Sequence, residues 1–82
     1  MALRLITDVT AAKVSVQQVP GVRAVAIQQA RGRKYMIISA AFNGLRASRE
    51  VPVHPTGTVD VAQVRHALNT LVGRSAAEAY QP

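Results

Sequence analysis

Apolar and polar positions alternate in the first part of the chain in a way that is typical of half-buried β-strands. Residues 3–9 (LRLITDV) and residues 13–19 (KVSVQQV) are both typical of strands, and the second segment alternates clearly, with Val14 and Val16 on one face. Pro20 and Gly21 then break the pattern. The pattern predicts an N-terminal hairpin of two strands over residues 1–19.

A second group of alternating segments predicts a central meander over residues 22–53. Its three strands are expected at residues 22–29, 33–42 and 45–53. The first turn contains Gly32, which accepts a positive φ without steric cost. Asn43 and Gly44 suit a type I′ turn between the second and third strands, because both central positions of that turn have positive φ.

From Asp60 onward the period of the apolar positions changes from two to 3.6, which indicates an amphipathic helix. Asp60 and Gln63 are spaced as a capping box, and Gly73 lies where a glycine commonly ends a helix. A short second helix is expected to follow and to end near Tyr80. The apolar stripe of the first helix consists of Val61, Val64, Leu68 and Leu71.

The order of these elements predicts a single α+β domain over residues 1–82. It would contain an antiparallel β-meander sheet of about five strands, followed by one or two C-terminal helices over residues 60–80. A helix of about twelve residues is ~18 Å long, which is too short to cover five strands at ~4.8 Å spacing. We therefore expect the helices to pack on the sheet of a partner subunit. The apolar stripe would then form the interface of an obligate homodimer.

The composition also favours association, because 49% of the 82 residues are apolar and a chain of this size has a marginal core. Without cysteine, no disulfide can stabilise it. The net charge of +6 favours a polyanionic partner through counterion release. No apolar run reaches the ~20 residues of a membrane span, and the N-terminus lacks the apolar core of a signal peptide. These features predict a cytosolic or assembly-borne protein without membrane contact.

The residues that enzymes and metal sites need are scattered along the chain. Its four acids form no paired-carboxylate motif, and His54 and His66 are not at metal-ligand spacing. The sequence contains no Gly-rich phosphate loop and no nucleophile elbow. His54 is expected in a turn and His66 on the polar face of the helix. We therefore expect no enzyme activity, no catalytic residue, no metal, no cofactor and no small-molecule substrate.

The segment that joins the first two strands of the meander is strongly basic. Arg31, Arg33 and Lys34 fall within four positions, and no acid occurs between Val9 and Arg49. Such a cluster suits contact with phosphate groups, and it also suits a solvated turn that keeps a strand edge soluble. The cluster favours a nucleic-acid partner over catalysis.

Taken in order, these elements resemble the coat proteins of the single-stranded RNA bacteriophages, of the levivirus type. The stretch VRAVAIQQARGRKYMIISAAF is similar to the central strand pair of that family, including the triplet Arg33-Lys34-Tyr35. The stretch REVPVHPTGTVDVAQVRHALNTLVG is similar to its last strand and first helix, and SAAEAYQP to its second helix. This chain is shorter than typical members.

The resemblance implies a structural capsid protein that dimerises, self-assembles into a shell and contacts the packaged single-stranded RNA through a basic sheet face and turn. Such a protein is located in the virion, which is assembled in the host cytoplasm. On the strand faces that hold RNA in this family, the chain carries Ala24, Ala26, Met36 and Ile38. The residues expected to contact RNA are Arg23, Gln28, Arg31, Arg33, Lys34, Arg46 and Arg49.

A three-stranded sheet followed by one helix also describes the small DNA-binding domains of phage integrase arms and AP2-type factors. Residues 21–72 would supply such a domain, with its arginines on the DNA. Those sheets present aromatic and polar base readers on their exposed face, whereas both faces are largely apolar here. A structural or regulatory oligomer is a third interpretation. The arginines of the DNA-binding interpretation are Arg23, Arg31, Arg33, Arg46 and Arg49.

Overall fold

A computed structural model of the protein describes residues 5–28, 30–42 and 44–80. In these residues the chain forms an α+β fold, as the sequence predicts, with a short 3₁₀ turn at Ala30–Gly32. The strands are β1 (Ile6–Asp8), β2 (Val22–Gln28), β3 (Lys34–Phe42), β4 (Leu45–Val53) and β5 (Thr58–Asp60). The helices are α1 (Val9–Gln17), α2 (Val61–Val72) and α3 (Arg74–Ala79).

Strands β2, β3 and β4 form an antiparallel meander, which confirms the predicted central part of the fold. Strand β3 lies in the middle, with Ala24 of β2 and Arg49 of β4 opposite Ile38. In the turn from β3 to β4, Gly44 has the predicted positive φ, at +80°, whereas Asn43 lies outside the described residues. Strands β1 and β5 pair with each other in a separate antiparallel ladder. The strands therefore form two sheets.

The predicted N-terminal hairpin over residues 1–19 is wrong, because most of its second strand is part of helix α1. Ala12 and Val16, four positions apart, are fully buried, whereas Val14 is 56% exposed. The buried side chains thus follow the helical period, although the alternation around Val14 and Val16 also fits a strand. The first predicted strand, at residues 3–9, shortens to β1, and residues 1–4 lie outside the described part of the chain.

Asp8 determines where α1 begins. Its Oδ2 accepts hydrogen bonds from the backbone N–H groups of Thr10 (3.0 Å) and Ala11 (3.3 Å), so it serves as the N-cap. These bonds satisfy two N–H groups that the first turn of a helix leaves without intrahelical partners. The N–H of Val9 donates to the carbonyl of Gly57 (2.9 Å), which joins the start of the helix to the turn before β5.

The core lies between one face of the meander and two helices. Helix α1 packs against β2 and β3, and α2 packs against β4 and β3. Val16 of α1 and Leu68 of α2 belong to the same buried cluster. Opposite residues of an antiparallel pair share a face, so the register places the buried sheet residues on the face that the helices cover. These sheet residues are Val22, Ala24, Met36, Ile38, Ala40 and Val51.

The apolar stripe of α2 is buried within its own chain. Val64 and Leu68 are fully buried, and Val61 and Leu71 are only 1% and 8% exposed. This placement corrects the prediction that the stripe forms a dimer interface, because its residues fill the core of a single chain. The prediction assumed that one helix must cover five strands. Three strands span only ~14 Å, and two helices of ~10 Å diameter cover them.

The C-terminal helices follow the prediction, and Tyr80 completes the core behind them. Gly73 ends α2 with φ +104°, and α3 follows directly. Tyr80 is only 2% exposed, and its backbone carbonyl accepts a hydrogen bond from Nη2 of Arg65 (3.4 Å). Its buried hydroxyl has no hydrogen-bond partner among the described residues. Burial raises the pKa of the Tyr80 phenol, and the positive charge of Arg65 opposes that rise.

Replacing Asp8 by alanine is expected to lower the free energy of unfolding by about 1 kcal/mol, because two N–H groups at the start of α1 lose their acceptor. Urea denaturation followed by circular dichroism measures this difference. Asp8→Asn is the matched control, since asparagine is an equally good N-cap and should retain most of the stability. An unchanged urea midpoint for Asp8→Ala would show that this side chain does not stabilise the helix.

The buried phenol of Tyr80 is expected to make the protein less stable at alkaline pH. Folded Tyr80 keeps its proton above pH 10.0, the pKa of an unperturbed tyrosine, so the unfolded state binds fewer protons in this range. The free energy of unfolding therefore falls as the pH rises past that value. Tyr80→Phe removes this contribution, and its thermal midpoint should fall less than that of the wild type between about pH 9 and about pH 11. Equal alkaline losses in both proteins would contradict the assignment.

Candidate nucleic-acid interface

The turn between β2 and β3 contains two consecutive residues in the left-handed region. Arg31 has φ 71° and ψ 23°, and Gly32 has φ +75°. The glycine adopts this conformation as predicted, and Arg31 adopts it as well, at a cost of roughly 1–2 kcal/mol for a residue with a Cβ. The reversal brings the two strand ends together, with Gln28 opposite Lys34.

The side chains around this turn form a compact cationic group. Arg31, Arg33 and Lys34 are exposed, and Gln28 is exposed beside them. In the part of the chain that the structure describes, none of the three cations forms a salt bridge with an acid. We call Gln28, Arg31, Arg33 and Lys34 the basic tip. The structure thus brings together the residues of the predicted RNA-contact set that lie nearest the turn.

The other predicted RNA contacts lie away from the basic tip. Arg23 and Arg46 are at the opposite end of the meander, on the face that the helices leave open. Five residues of extended strand, ~16 Å, separate Arg23 from Gln28. Arg49 is exposed in the edge strand β4, and its Nη1 donates a hydrogen bond to the carbonyl of Ser48 (2.8 Å). The predicted set therefore does not form one continuous surface.

The strand face on which the resemblance placed the RNA is the face that the helices cover. Ala24, Met36 and Ile38 are buried there, so they are inaccessible to a nucleic acid in the folded chain. Ala26 lies in the same row and is exposed. A nucleic acid on the sheet would contact the opposite, open face.

On the open face, strands β2 and β3 are apolar in the half next to the basic tip, whereas β4 carries Glu50 there, opposite Ile37. Val25 is 53% exposed and Ile27 is 38% exposed. Ile37 lies opposite Val25, and Tyr35 lies between Ile27 and Pro52. We call the three aliphatic residues of this group, Val25, Ile27 and Ile37, the apolar patch. An exposed apolar surface of this kind, bordered by charged residues, is typical of an interaction site.

A cleft of about 570 Å³ lies where β3 begins and β4 ends, beside the basic tip. Its position follows from the register, because Tyr35 is opposite Pro52 and Lys34 is opposite Val53. Residues of the turn between β4 and β5 complete its walls. We call this cavity the tip cleft. Its lining includes Arg33, Lys34, Tyr35, Pro52, His54 and Pro55.

His54 lines the tip cleft and contacts an acid. Its Nε2 lies 3.4 Å from Oδ1 of Asp60, a buried carboxylate at the end of β5. The intervening turn is held by the His54 N–H, which donates to the Thr58 carbonyl (2.8 Å), and by the Gly57 N–H, which donates to the His54 carbonyl (2.8 Å). The sequence predicted the turn but not this contact, which depends on the path of β5.

The predicted capping box at the start of α2 is wrong. Asp60 occupies the N-cap position, but its side chain makes no hydrogen bond to the helix backbone. The carboxylate lies beside His54 instead. The N–H of Val61 donates to the carbonyl of Leu5 (2.9 Å), so the residue just before β1 satisfies the first N–H of this helix.

The comparisons with known proteins do not identify a relative. No protein-family model matches the chain, and no curated protein or solved structure matches it either. Within residues 5–28, 30–42 and 44–80, no three His, Cys, Asp or Glu side chains are grouped so as to hold a metal ion. No helix of this same portion combines the length and the apolar character that crossing a membrane requires. The function is therefore inferred from the residues of the chain and their arrangement.

Proposed function

We propose that this protein binds single-stranded RNA through the basic tip and assembles with copies of itself, as a coat protein does. The observation that carries the proposal is the position of the basic tip directly beside the exposed apolar patch. One surface suits phosphate groups and its neighbour suits another protein chain. RNA and subunits would therefore meet at the same end of the sheet. The proposal keeps the predicted coat function and moves the subunit contact from α2 to the open face.

The charge of the basic tip supports RNA contact. Its cations are exposed and are not paired with acids of the described residues, so they are available to phosphate groups. Each cation that neutralises a phosphate of a single strand contributes about 0.7 to the slope of log affinity against log salt concentration. The net charge of +6 adds a longer-range attraction, which is screened beyond ~10 Å at 0.1 M salt.

The apolar patch and the neighbouring strand edge support self-association. A partner surface that covers the patch removes apolar area from water, which stabilises the contact by about 25 cal/mol per Å². Strand β2 is an edge of the meander, and Arg23 is its only charged residue. The other edge, β4, carries Arg46, Arg49 and Glu50, and such charges oppose strand pairing. A homodimer through β2 and the apolar patch, repeated into a shell, fits both features.

A DNA-binding domain is the second candidate, because the open face of the meander carries arginines at its far end. Arg23 and Arg46 lie on that face, and a sheet can enter the major groove with helices behind it. The apolar patch lies between these arginines and the basic tip, where base readout needs polar groups. We therefore favour RNA contact at the basic tip. Tight binding of duplex DNA that depends on Arg23 and Arg46 would favour the second candidate.

Neutralising two cations of the basic tip is expected to weaken RNA binding and its salt dependence. For Arg33→Gln/Lys34→Gln, the slope of log affinity against log salt concentration should fall by about 1.4, or ~0.7 for each lost phosphate contact. Fluorescence anisotropy of a labelled single-stranded RNA across a salt series measures the slope. Lys13→Gln/Arg74→Gln is the matched control, because it removes the same charge from α1 and α3. Equal losses in both variants would show that net charge alone governs binding.

A charge in the apolar patch is expected to prevent assembly. The wild type should form closed particles that protect RNA from nuclease, whereas Val25→Lys should elute as a monomer and give no particles in negative-stain electron microscopy. Val14→Lys is the matched control, because Val14 on α1 is 56% exposed and Val25 is 53% exposed. Normal particles from Val25→Lys, or their loss in Val14→Lys, would contradict assembly through the open face. A monomeric wild type would contradict the coat function itself.

A further inference from the structure

We propose that the tip cleft binds one nucleotide of a single-stranded RNA, with the base against Tyr35 and Pro52 and the phosphate at Arg33 and Lys34. The choice of RNA as the polymer rests on the proposed function. The tip cleft specifies the place on the protein where one nucleotide of that RNA binds. Tyr35 thereby becomes a binding residue that the charge pattern of the sequence does not identify.

The tip cleft has the size and the wall chemistry of a small-ligand site. Its volume of about 570 Å³ lies within the range of ~300–1,000 Å³ that is usual for such sites. Tyr35, Pro52 and Pro55 provide apolar surface, and Arg33 and Lys34 provide positive charge. A nucleotide combines a flat, largely apolar base with an anionic phosphate. Each half of the ligand therefore finds a matching surface in one cleft.

Tyr35 is placed to stack on a base. It is a half-buried residue near the start of β3, between Ile27 of β2 and Pro52 of β4. Neighbours on both adjacent strands limit the positions that the ring can take, so binding orders it at little entropic cost. Aromatic rings of this kind accept any base, because every base has a π-face. The ring therefore supplies affinity without demanding a particular sequence.

Arg33 and Lys34 supply the positive charge for the phosphate. Arg33 lies two positions before Tyr35, about 7 Å along an extended chain, so one nucleotide can contact both side chains. A guanidinium group donates two parallel hydrogen bonds to phosphate oxygens, and an ammonium group adds a point charge. None of the described residues that line the cleft is an acid, so no lining carboxylate repels the phosphate.

The arrangement favours a single strand over a duplex. In a duplex, the internal bases are stacked on their neighbours, so a ring on the protein cannot reach a base face. In a single strand, a base can be splayed out and stacked on an aromatic side chain. Each base that stacks in this way raises the affinity about 5- to 150-fold. Duplex RNA should therefore bind through the phosphate contacts alone and should not respond to changes at Tyr35.

The experiment uses Tyr35 as its own probe. The chain has no tryptophan, and its only other tyrosine is the buried Tyr80, so Tyr35 is the sole strong fluorophore in a Tyr80→Phe background. Titration of that variant with an oligouridylate of roughly eight nucleotides should quench the fluorescence as a base stacks on the ring. Without the Tyr80 change, Tyr35→Ala should bind the same strand about 5- to 150-fold more weakly. Tyr35→Phe keeps the ring and should bind like the wild type.

Two further strands identify the part of the nucleic acid that the ring contacts. An abasic strand of the same length should bind equally to the wild type and to Tyr35→Ala, because it has no base to stack. If Tyr35→Ala weakens binding of both strands equally, the base assignment is overturned. Oligodeoxyuridylate distinguishes the source of the nucleotide. If the oligodeoxyuridylate binds more weakly than the oligouridylate, RNA is supported as the preferred polymer. If the two bind equally, base stacking on Tyr35 is supported and the preference for RNA is overturned.

The binding measurements distinguish an error in the nucleotide site from an error in the proposed function. If the wild type binds no single-stranded RNA, the proposed function is wrong. If the wild type binds RNA while Tyr35→Ala binds equally and the fluorescence of Tyr35 stays constant, RNA contact stands and the nucleotide site is elsewhere. Circular dichroism establishes that the variant is folded. Should Tyr35→Ala unfold, Tyr35→Leu replaces it, because leucine fills more of the space and lacks the ring.

Discussion

The burial of one face of the three-stranded meander under α1 and α2 is the interaction on which the other features depend. Met36 and Ile38 of the central strand are fully buried, in one cluster with Val16 of α1 and Leu68 of α2. Each large apolar side chain buried in this way contributes about 1.5–3 kcal/mol, a substantial amount against a net stability of roughly 5–15 kcal/mol. Because side chains alternate along a strand, fixing one face to the helices also fixes which residues the other face presents.

One-sided burial separates the core from the surfaces available for binding. The apolar stripe of α2 is buried inside the chain, and α1 covers the part of the sheet that was expected to need a partner subunit. The apolar patch is different, because its residues lie outside that core; Val25 is 53% exposed and Ile27 is 38% exposed. The exposed area of such a side chain adds no stability to the single chain. In the proposed homodimer a second chain covers this area, and that contact is the one that the proposed coat function needs.

The parts of the fold that could be predicted are those with local signals. Alternation identifies the three strands of the meander, and the change of period at Asp60 identifies α2. Helix α1 could not be recognised from periodicity, because the alternation of Val14 and Val16 fits a strand and the helical pair Ala12 and Val16 is short. The local signal for the helix is Asp8 as an N-cap. The cations of the basic tip are close together in the sequence, so the cluster could be predicted from the sequence alone. The tip cleft could not be predicted, because it requires Tyr35 and Pro52, which only the pairing of β3 with β4 brings together.

The roles of the residues at the tip follow from the difference between strand and turn positions. Tyr35 and Pro52 are strand residues held by cross-strand neighbours, whereas Arg31 and Arg33 belong to a turn and end in long side chains. In the proposed nucleotide site, the ring determines where the base lies, and the long cations adjust to the phosphates at about 0.5–1.5 kcal/mol for each side chain ordered. Binding by stacking and charge depends little on base identity. A protein that covers a whole genome must tolerate every sequence it meets, so the geometry of the tip and the proposed coat function require the same kind of contact.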